Sequence, residues 1–174
     1  MEYVPHDFYV PGVEGMYPSA LQYASGAHAE PHFVGKFRRR NWVLDYYPLG
    51  GFLFRAGPKM RDFAARPASA LHLYPPNTEF VEDFRHAAMP QPCCWVIFRG
   101  GELLGLEKLC HHEYGFAEVI DHRRTIEPLL QKGANAIDND TGTGCLEAQT
   151  ALYEIAMALS SVRKSPHSLG YRFE

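Results

Sequence analysis

The constraint that weighs most on this chain is a change of period near residue 100. Before it, the apolar runs are short, β-branched or aromatic, and separated by turn residues; they fall at residues 21–24, 42–47, 52–55, 70–74, 79–84 and 95–98. Such runs, spaced roughly ten residues apart, predict the strands of a sandwich or barrel. The breaks agree. Pro48 with Gly50 and Gly51, Ala56-Gly57-Pro58, Arg66-Pro67, Pro75-Pro76-Asn77 and Pro90-Gln91-Pro92 fix φ, permit positive φ or remove ladder donors. A β-barrel of short strands is the economical expectation.

From about residue 101 the pattern turns helical. Residues 102–109 read as a short helix and residues 116–120 as a returning strand. Ile126, Leu129, Leu130 and Ile137 then recur at helical spacing, with Thr125 placed to cap, Pro128 in the first turn and Gly133 interrupting midway. Residues 138–144 form a polar turn in which Thr143 can cap a second helix at about 144–163. On that helix Cys145, Ala148, Leu152, Ile155, Leu159 and Val162 make one apolar stripe. Leu146, Thr150, Tyr153 and Met157 make another, nearly opposite. The first seals the helix onto its own domain. The second is read as a homodimer contact; the alternative is that both faces are buried within one chain. The tail after Ser165-Pro166 reads as a frayed end or the start of a linker.

At 46% hydrophobic and 21% charged, the 174 residues can bury a core, which excludes wholesale disorder. Seventeen Lys and Arg against twenty Asp and Glu leave a formal net charge of −3, without the basic excess of a domain that grips nucleic-acid phosphates by itself. No stretch approaches the ~18 to 20 apolar residues of a membrane span. Residues 1–10 lack the cationic and then apolar run of a signal peptide, so a cytoplasmic location is expected. The spacing of Cys93, Cys94, Cys110 and Cys145 suits neither a zinc cage nor a disulfide framework. Reduced core or pocket thiols are expected, with Cys93 and Cys94 on opposite faces of a strand.

Nine histidines raise the question of metal. The chain has no His-x-His, and in His111-His112-Glu113 adjacent residues of a regular element cannot both face one site, so this cluster reads as a solvated loop. No Gly-x-Ser-x-Gly elbow or phosphate-binding glycine loop occurs, and Gly142-x-Gly144 reads as a turn and cap. Glu79, Glu82 and Asp83 lie close together, Glu82 sharing strand parity with Phe80 and Phe84 while Asp83 points the other way. They read either as a general acid-base set, for which no partner base or nucleophile is identifiable, or as one polar group inside a pocket with the others on the surface. Alternation places Arg38 and Arg40 on one face and Arg39 on the other. They form either a solvated edge or inward planar donors to a hydroxyl- or carboxylate-bearing ligand. Trp95 lies in an all-apolar run with Cys93 and Ile97 on its face. It is either a core Trp or a flat wall on which a sugar ring or an aromatic ligand stacks.

Residues 66–80, Arg-Pro-Ala-Ser-Ala-Leu-His-Leu-Tyr-Pro-Pro-Asn-Thr-Glu-Phe, and 93–99, Cys-Cys-Trp-Val-Ile-Phe-Arg, resemble the amino-terminal effector domain of AraC-type transcription regulators. There an Arg-Pro-Gly-Asp turn leads into a strand, a Phe-Pro-Pro turn follows, and a later strand ends in Trp-Val-x-Phe-Arg. Residues 42–51 fit that family's second strand pair, and the two terminal helices its dimerisation hairpin. The resemblance implies a cupin-like jelly-roll barrel that binds a small effector, arabinose in the founding member, and reports through the helices to a DNA-binding domain. The family's ring-stacking Trp matches Trp95, and its sugar-binding Arg matches one of Arg38 to Arg40, Arg38 being nearest by count. Glu82 stands where the family has a pocket Tyr, and Cys93 where it has a His, so a different ligand is implied.

The resulting expectation is mainly β with carboxy-terminal α: an arm at 1–15, a cupin-like effector-binding barrel at 16–121, an antiparallel two-helix dimerisation segment at 122–166, and a tail or linker start at 167–174. The expected ligand residues are Trp95, Arg38, Arg40, Glu82, Cys93 and Phe80, and the expected dimer interface is Leu146, Thr150, Tyr153 and Met157. No cofactor, metal or catalysis is expected. The partners are a carbohydrate effector, a second copy of the chain, and DNA only through a helix-turn-helix pair absent here, as in a sensor half of a longer regulator. The alternative is a cupin-fold, metal-dependent enzyme acting on a sugar.

Overall fold

Successive residues of a strand point to opposite faces of its sheet, and in this protein both faces of the larger sheet are covered. A computed structural model of the chain describes residues 18–87, 89–138, 143–161, 163–164 and 170–172. Along the chain run β1 (Ser19–Ala29), β2 (Val34–Arg38), β3 (Trp42–Tyr47), β4 (Leu53–Ala56), β5 (Ala64–Ala65), β6 (Ala70–Tyr74), β7 (Glu79–Asp83) and β8 (Gln91–Arg99). A short 3₁₀ helix (Leu106–Leu109), β9 (Ala117–Ile120), α1 (Ile126–Asp138), α2 (Gly144–Ser160), β10 (Arg163–Lys164) and β11 (Gly170–Arg172) follow. Sheet A has the order β1-β8-β3-β6-β9-β11-β10 and sheet B the order β2-β7-β4-β5. The protein is mainly β with two carboxy-terminal helices, as the change of period near residue 100 implies.

Alternation on sheet A creates two cores. Leu44 and Tyr46 of β3, Leu71 and Leu73 of β6, Cys94, Val96 and Phe98 of β8, and Val119 of β9 face the helices. There they meet Ile126 and Leu130 of α1 and Leu152, Ile155 and Leu159 of α2. Val43 and Tyr47, Tyr74, and Cys93 and Ile97 face the other way, against Phe54, Phe80 and Phe84 on the sheet B side. Cys93 and Cys94 thus point to opposite faces, as strand parity requires. The second core is largely aromatic. Tyr74 stacks on Phe80 with ring centroids 3.9 Å apart and planes 1° from parallel, and Phe52 lies 4.2 Å from Phe84. Such pairs add about 0.5–1.5 kcal/mol each beyond area burial.

The α1 start differs from the sequence expectation in its chemistry. Asp121, not Thr125, accepts the Ile126 N–H at 2.7 Å through Oδ2, while its Oδ1 accepts the Thr125 hydroxyl at 3.1 Å. At α2 the Thr143 hydroxyl donates to Glu147 Oε1 at 3.1 Å and makes no side-chain bond to a helix N–H. The first stripe of α2 is buried at Ala148, Leu152, Ile155 and Leu159, but Cys145 is exposed. That residue lies in the first turn, ahead of the contact with sheet A. The second stripe is open: Leu146 is 69% exposed, Met157 67% and Tyr153 37%. The two helices pack on one another, tied at their surface by Lys132 Nζ, 2.7 Å from Glu154 Oε2.

Other departures concern strands with weak patterns. Strand β2 escapes detection because its inward residues are Gly35 and Phe37, with charged neighbours between. Residues 102–109 form a turn and then a single 3₁₀ turn rather than one helix. The tail is not merely a frayed end: β11 pairs parallel with β9, Tyr171 opposite Val119. The expected arm at residues 1–15 and Val162 of the first α2 stripe lie outside the described residues.

Gly133 lies buried where α1 crosses β1, and a Cβ built on it would sit 2.4 Å from Tyr23 Cε1. That ring is held in place, since the Tyr23 hydroxyl donates to the Ala148 carbonyl at 2.9 Å. Helix propensity alone would favour Gly133→Ala by about 1 kcal/mol. The expected outcome is the reverse, a loss of about 1–3 kcal/mol from overpacking, read as a lowered urea midpoint at unchanged slope.

Candidate functional site

Asp45 is the charged residue that most demands explanation, because it sits mid-strand in β3 among five other buried residues. A carboxylate there needs a partner or a proton. The partner is Arg66, which follows β5 directly and is held by its backbone: Arg66 N–H donates to the Phe52 carbonyl at 2.8 Å and its carbonyl accepts Gly51 N–H at 2.9 Å. The side chain runs into the core and is wholly buried. Its Nη2 donates to Asp45 Oδ1 in a close contact, to the Asp45 carbonyl at 3.2 Å and to the Ala70 carbonyl at 3.1 Å. Its Nη1 donates to Glu82 Oε1 at 3.1 Å, and the Tyr47 hydroxyl donates to Glu82 Oε2 at 3.0 Å. The guanidinium also lies over the Tyr47 ring, 4.6 Å from its centroid. Of the three guanidinium nitrogens, Nε has no partner.

Register arranges further polar groups in one band across sheet A. Trp95 of β8 pairs with Asp45 of β3, Asp45 with His72 of β6, and His72 with Glu118 of β9. Residues opposed in register share a face, so Trp, Asp, His and Glu stand side by side on the inward surface. His72 is fully buried, with Nδ1 2.7 Å from the Tyr74 hydroxyl and Nε2 3.1 Å from Glu118 Oε2. Burial first, then the Arg66 charge, holds its pKa well below the ordinary value, so the ring is neutral near pH 7. With Glu118 Oε2 as acceptor, a neutral ring donates from Nε2 and accepts the Tyr74 hydroxyl at Nδ1.

Protonation balances this interior. Burial raises both carboxyls, and for Glu82 the nearby Asp45 adds to it, lifting its pKa to about 8 against the pull of Arg66. At neutral pH Asp45 and Glu82 therefore hold one proton between them, and the cluster is close to uncharged. The Cys93 thiol, buried beside Glu82, is pushed up to about 12, so it is a protonated wall group and not a nucleophile.

The structure brings Glu82, Phe80 and Cys93 together in the core between the sheets, with Trp95 half-buried on the same face of β8. The inward option for Arg38 and Arg40 is corrected: both are exposed. Gly35 and Phe37 take the inward positions of β2, which turns Lys36 and Arg38 outward, and Arg40 lies in the turn before β3. The buried arginine is Arg66, which the Arg66-Pro67 turn signal concealed. Its clue was in the sequence, since Asp45 and Glu82 both occupy inward positions and together require a cation. His111 and His112 stack with ring centroids 4.9 Å apart beside an exposed Glu113. Among the described residues no three His, Cys, Asp or Glu side chains are grouped to hold a metal ion, and no helix is long and apolar enough to cross a membrane.

The pH dependence follows from these shifts. The folded protein keeps the Glu82 proton to about pH 8, whereas the unfolded chain loses it near 4.5, so folding takes up a proton between these values and stability falls as pH rises. His72 acts in the opposite sense below its ordinary value of 6.5, because the unfolded chain binds a proton that the buried ring refuses. Between pH 6.5 and 8 only the carboxyl effect remains. Urea unfolding should show a loss of about 1–2 kcal/mol over that window; Glu82→Gln should abolish the slope, and a slope that persists would place the proton elsewhere.

The sequence matches no protein-family model and no curated protein.

Proposed function

We propose that the chain is the ligand-sensing and dimerisation domain of an AraC-type transcription regulator. In this reading the two sheets form a cupin-like jelly-roll barrel, and α1 and α2 form an antiparallel hairpin that pairs with a second copy. A small effector, a sugar, binds at the Trp95 end of the inward face. Binding favours one arrangement of barrel and helices over another, and a DNA-binding helix-turn-helix domain outside this chain responds to that difference.

The observation that carries the reading is the pairing of Trp95 with Asp45. A half-buried indole beside a buried acceptor-rich cluster suits a ring with one C–H face and several hydroxyls, because the face stacks on the indole while the hydroxyls donate to carboxylate oxygens. The near-neutral Asp45–Arg66–Glu82 cluster adds a preference for an uncharged sugar over an acidic one. The dimer is supported by the open stripe of Leu146, Tyr153 and Met157 on the face of α2 turned away from sheet A. A monomer gains nothing by exposing these side chains together.

Thermal unfolding against a panel of pentoses, hexoses, uronic acids and disaccharides, with and without EDTA, tests the reading. A sugar present at 100 times its Kd adds about 2.7 kcal/mol, a shift of about 5–10 °C for a domain of this size. The expected result is such a shift for a neutral sugar, insensitive to EDTA and lost in Trp95→Ala. A shift abolished by EDTA would favour a metal-dependent cupin enzyme instead, and a flat panel would remove carbohydrate recognition. In light scattering, Leu146→Glu with Met157→Glu should convert a dimer to a monomer of unchanged fold; a dimer that survives both substitutions takes α2 out of the interface.

A further inference from the structure

The outward face of sheet B carries a feature that the sensor reading does not use. Two adjoining clefts, each of about 430 Å³, share Gly57, Pro58 and Glu79. They lie on the side of the molecule opposite the helices, which cover sheet A. One is lined by Arg55, Arg61, Met60 and Val81. The other is lined by Arg38, Asn77, Thr78 and Tyr114. Each volume falls within the usual range for small-molecule sites, about 300–1,000 Å³.

Register explains why the charges converge there. Lys36 of β2 and Arg55 of β4 flank Val81 of β7, and Arg38 flanks Glu79. Residues so opposed point the same way, here outward. Lys36 Nζ lies 3.1 Å from Glu79 Oε1, which engages one cation and leaves Arg38, Arg55 and Arg61 without a carboxylate partner among the described residues. Arg55 is instead held against the Phe63 ring, 5.3 Å from its centroid. Lys59 and Asp62 beside Arg61 offset each other. A chain of formal charge −3 therefore concentrates an excess of positive charge at this concave place. The floor between the clefts is rigid: Gly57, at φ 70°, donates its N–H to the Glu79 carbonyl at 2.8 Å, and a Cβ built on it would lie 2.1 Å from the Tyr114 carbonyl oxygen. Only glycine lets the 57–58 turn approach residues 114–115 so closely.

We infer that the paired clefts bind the phosphate ester of a hydroxylated ring compound. Arg55 and Arg61 take the phosphate oxygens, since planar guanidinium groups match phosphate geometry. The second oxygen of Glu79, with Asn77 and Thr78, takes the ring hydroxyls, and Tyr114 with Pro58 and Pro76 forms the apolar side. Glu79 makes the site selective, because its carboxylate repels free phosphate but accepts hydrogen bonds from a ligand that carries hydroxyls next to its phosphate. A sugar phosphate and a nucleoside monophosphate both present this chemistry.

Isothermal titration calorimetry with the whole chain distinguishes them, using glucose 6-phosphate and adenosine monophosphate as probes beside glucose, adenosine and inorganic phosphate. One ester should bind at least about tenfold more tightly than its parent alcohol and than inorganic phosphate, and which one does so names the source. Arg55→Gln and Arg61→Gln should each weaken it about tenfold. Arg55→Lys should weaken it less, and Arg99→Gln, an exposed arginine on β8, should leave it unchanged. The inference is overturned if neither ester binds, if inorganic phosphate binds as well as the esters, or if both glutamine variants keep the affinity while far-ultraviolet circular dichroism shows them folded. The Trp95→Ala variant keeps the ester affinity, which separates this site from the one proposed inside the sandwich.

Discussion

A guanidinium cannot be buried alone, and the wholly buried Arg66 sets the terms for the rest of this structure. It is anchored beside β5 at the edge of sheet B, reaches Asp45 in sheet A, and holds Glu82 in β7 of sheet B. The net stabilisation from such a cluster is small, because desolvation of the ions offsets most of their attraction. Its larger effect is on the alternatives. A slip of one residue in β3 or β7 would turn Asp45 or Glu82 to the other face and strip Arg66 of one of its two carboxyl partners; a slip in both would leave it without a counter-charge, at a penalty of about 3–5 kcal/mol. The cluster thus opposes wrong registers on both sheets at once. The stacked Tyr74 and Phe80 rings oppose them again by shape.

That register has a consequence on the opposite face of sheet A. When Asp45, His72 and Trp95 point inward, Leu44, Tyr46, Leu71, Leu73, Cys94 and Val96 must point outward, and so large an apolar face cannot remain in water. The two helices satisfy it. Their close approach is possible because Gly133 admits the Tyr23 ring, while the Tyr23 hydroxyl ties β1 to α2. The same layering leaves the second stripe of α2 open, since a helix lying on a sheet can bury only one side.

Much of this architecture is legible in the sequence. β3, β6, β7 and β8 show as apolar runs between turn residues, and α1 and α2 as periodic stripes, because burial on a sheet or under a helix imposes a local pattern. β2 and β11 leave no such pattern. The inward side of β2 is a glycine and one phenylalanine, and β11 exists through a parallel pairing with β9 that lies fifty residues earlier in the chain. The site is legible by half. Parity identifies Glu82, Phe80, Cys93 and Trp95 as inward, but the Arg38-Arg39-Arg40 run draws attention by number, whereas burial is decided by which positions the inward residues occupy. Arg66 adjoins a proline and reads as a turn. Only the unmatched charges of Asp45 and Glu82 point to it.

A formal charge of −3 conceals how the charges are sorted. Inside the sandwich two carboxyls share a proton beside one arginine, which leaves a polar but nearly neutral surface next to an indole. On the outward face of sheet B three arginines surround a single glutamate already bound to Lys36. The strand that separates these environments is β7, whose Glu82 faces in while Glu79 lines the outer clefts and Val81 lies between Lys36 and Arg55. One five-residue strand therefore supplies an acid to each surface, and the surroundings determine what each acid does. Glu82, desolvated, holds a proton; Glu79, part-exposed, engages Lys36. β7 thus divides an interior of nearly balanced charge from an outer face on which arginines outnumber the one glutamate lining the clefts.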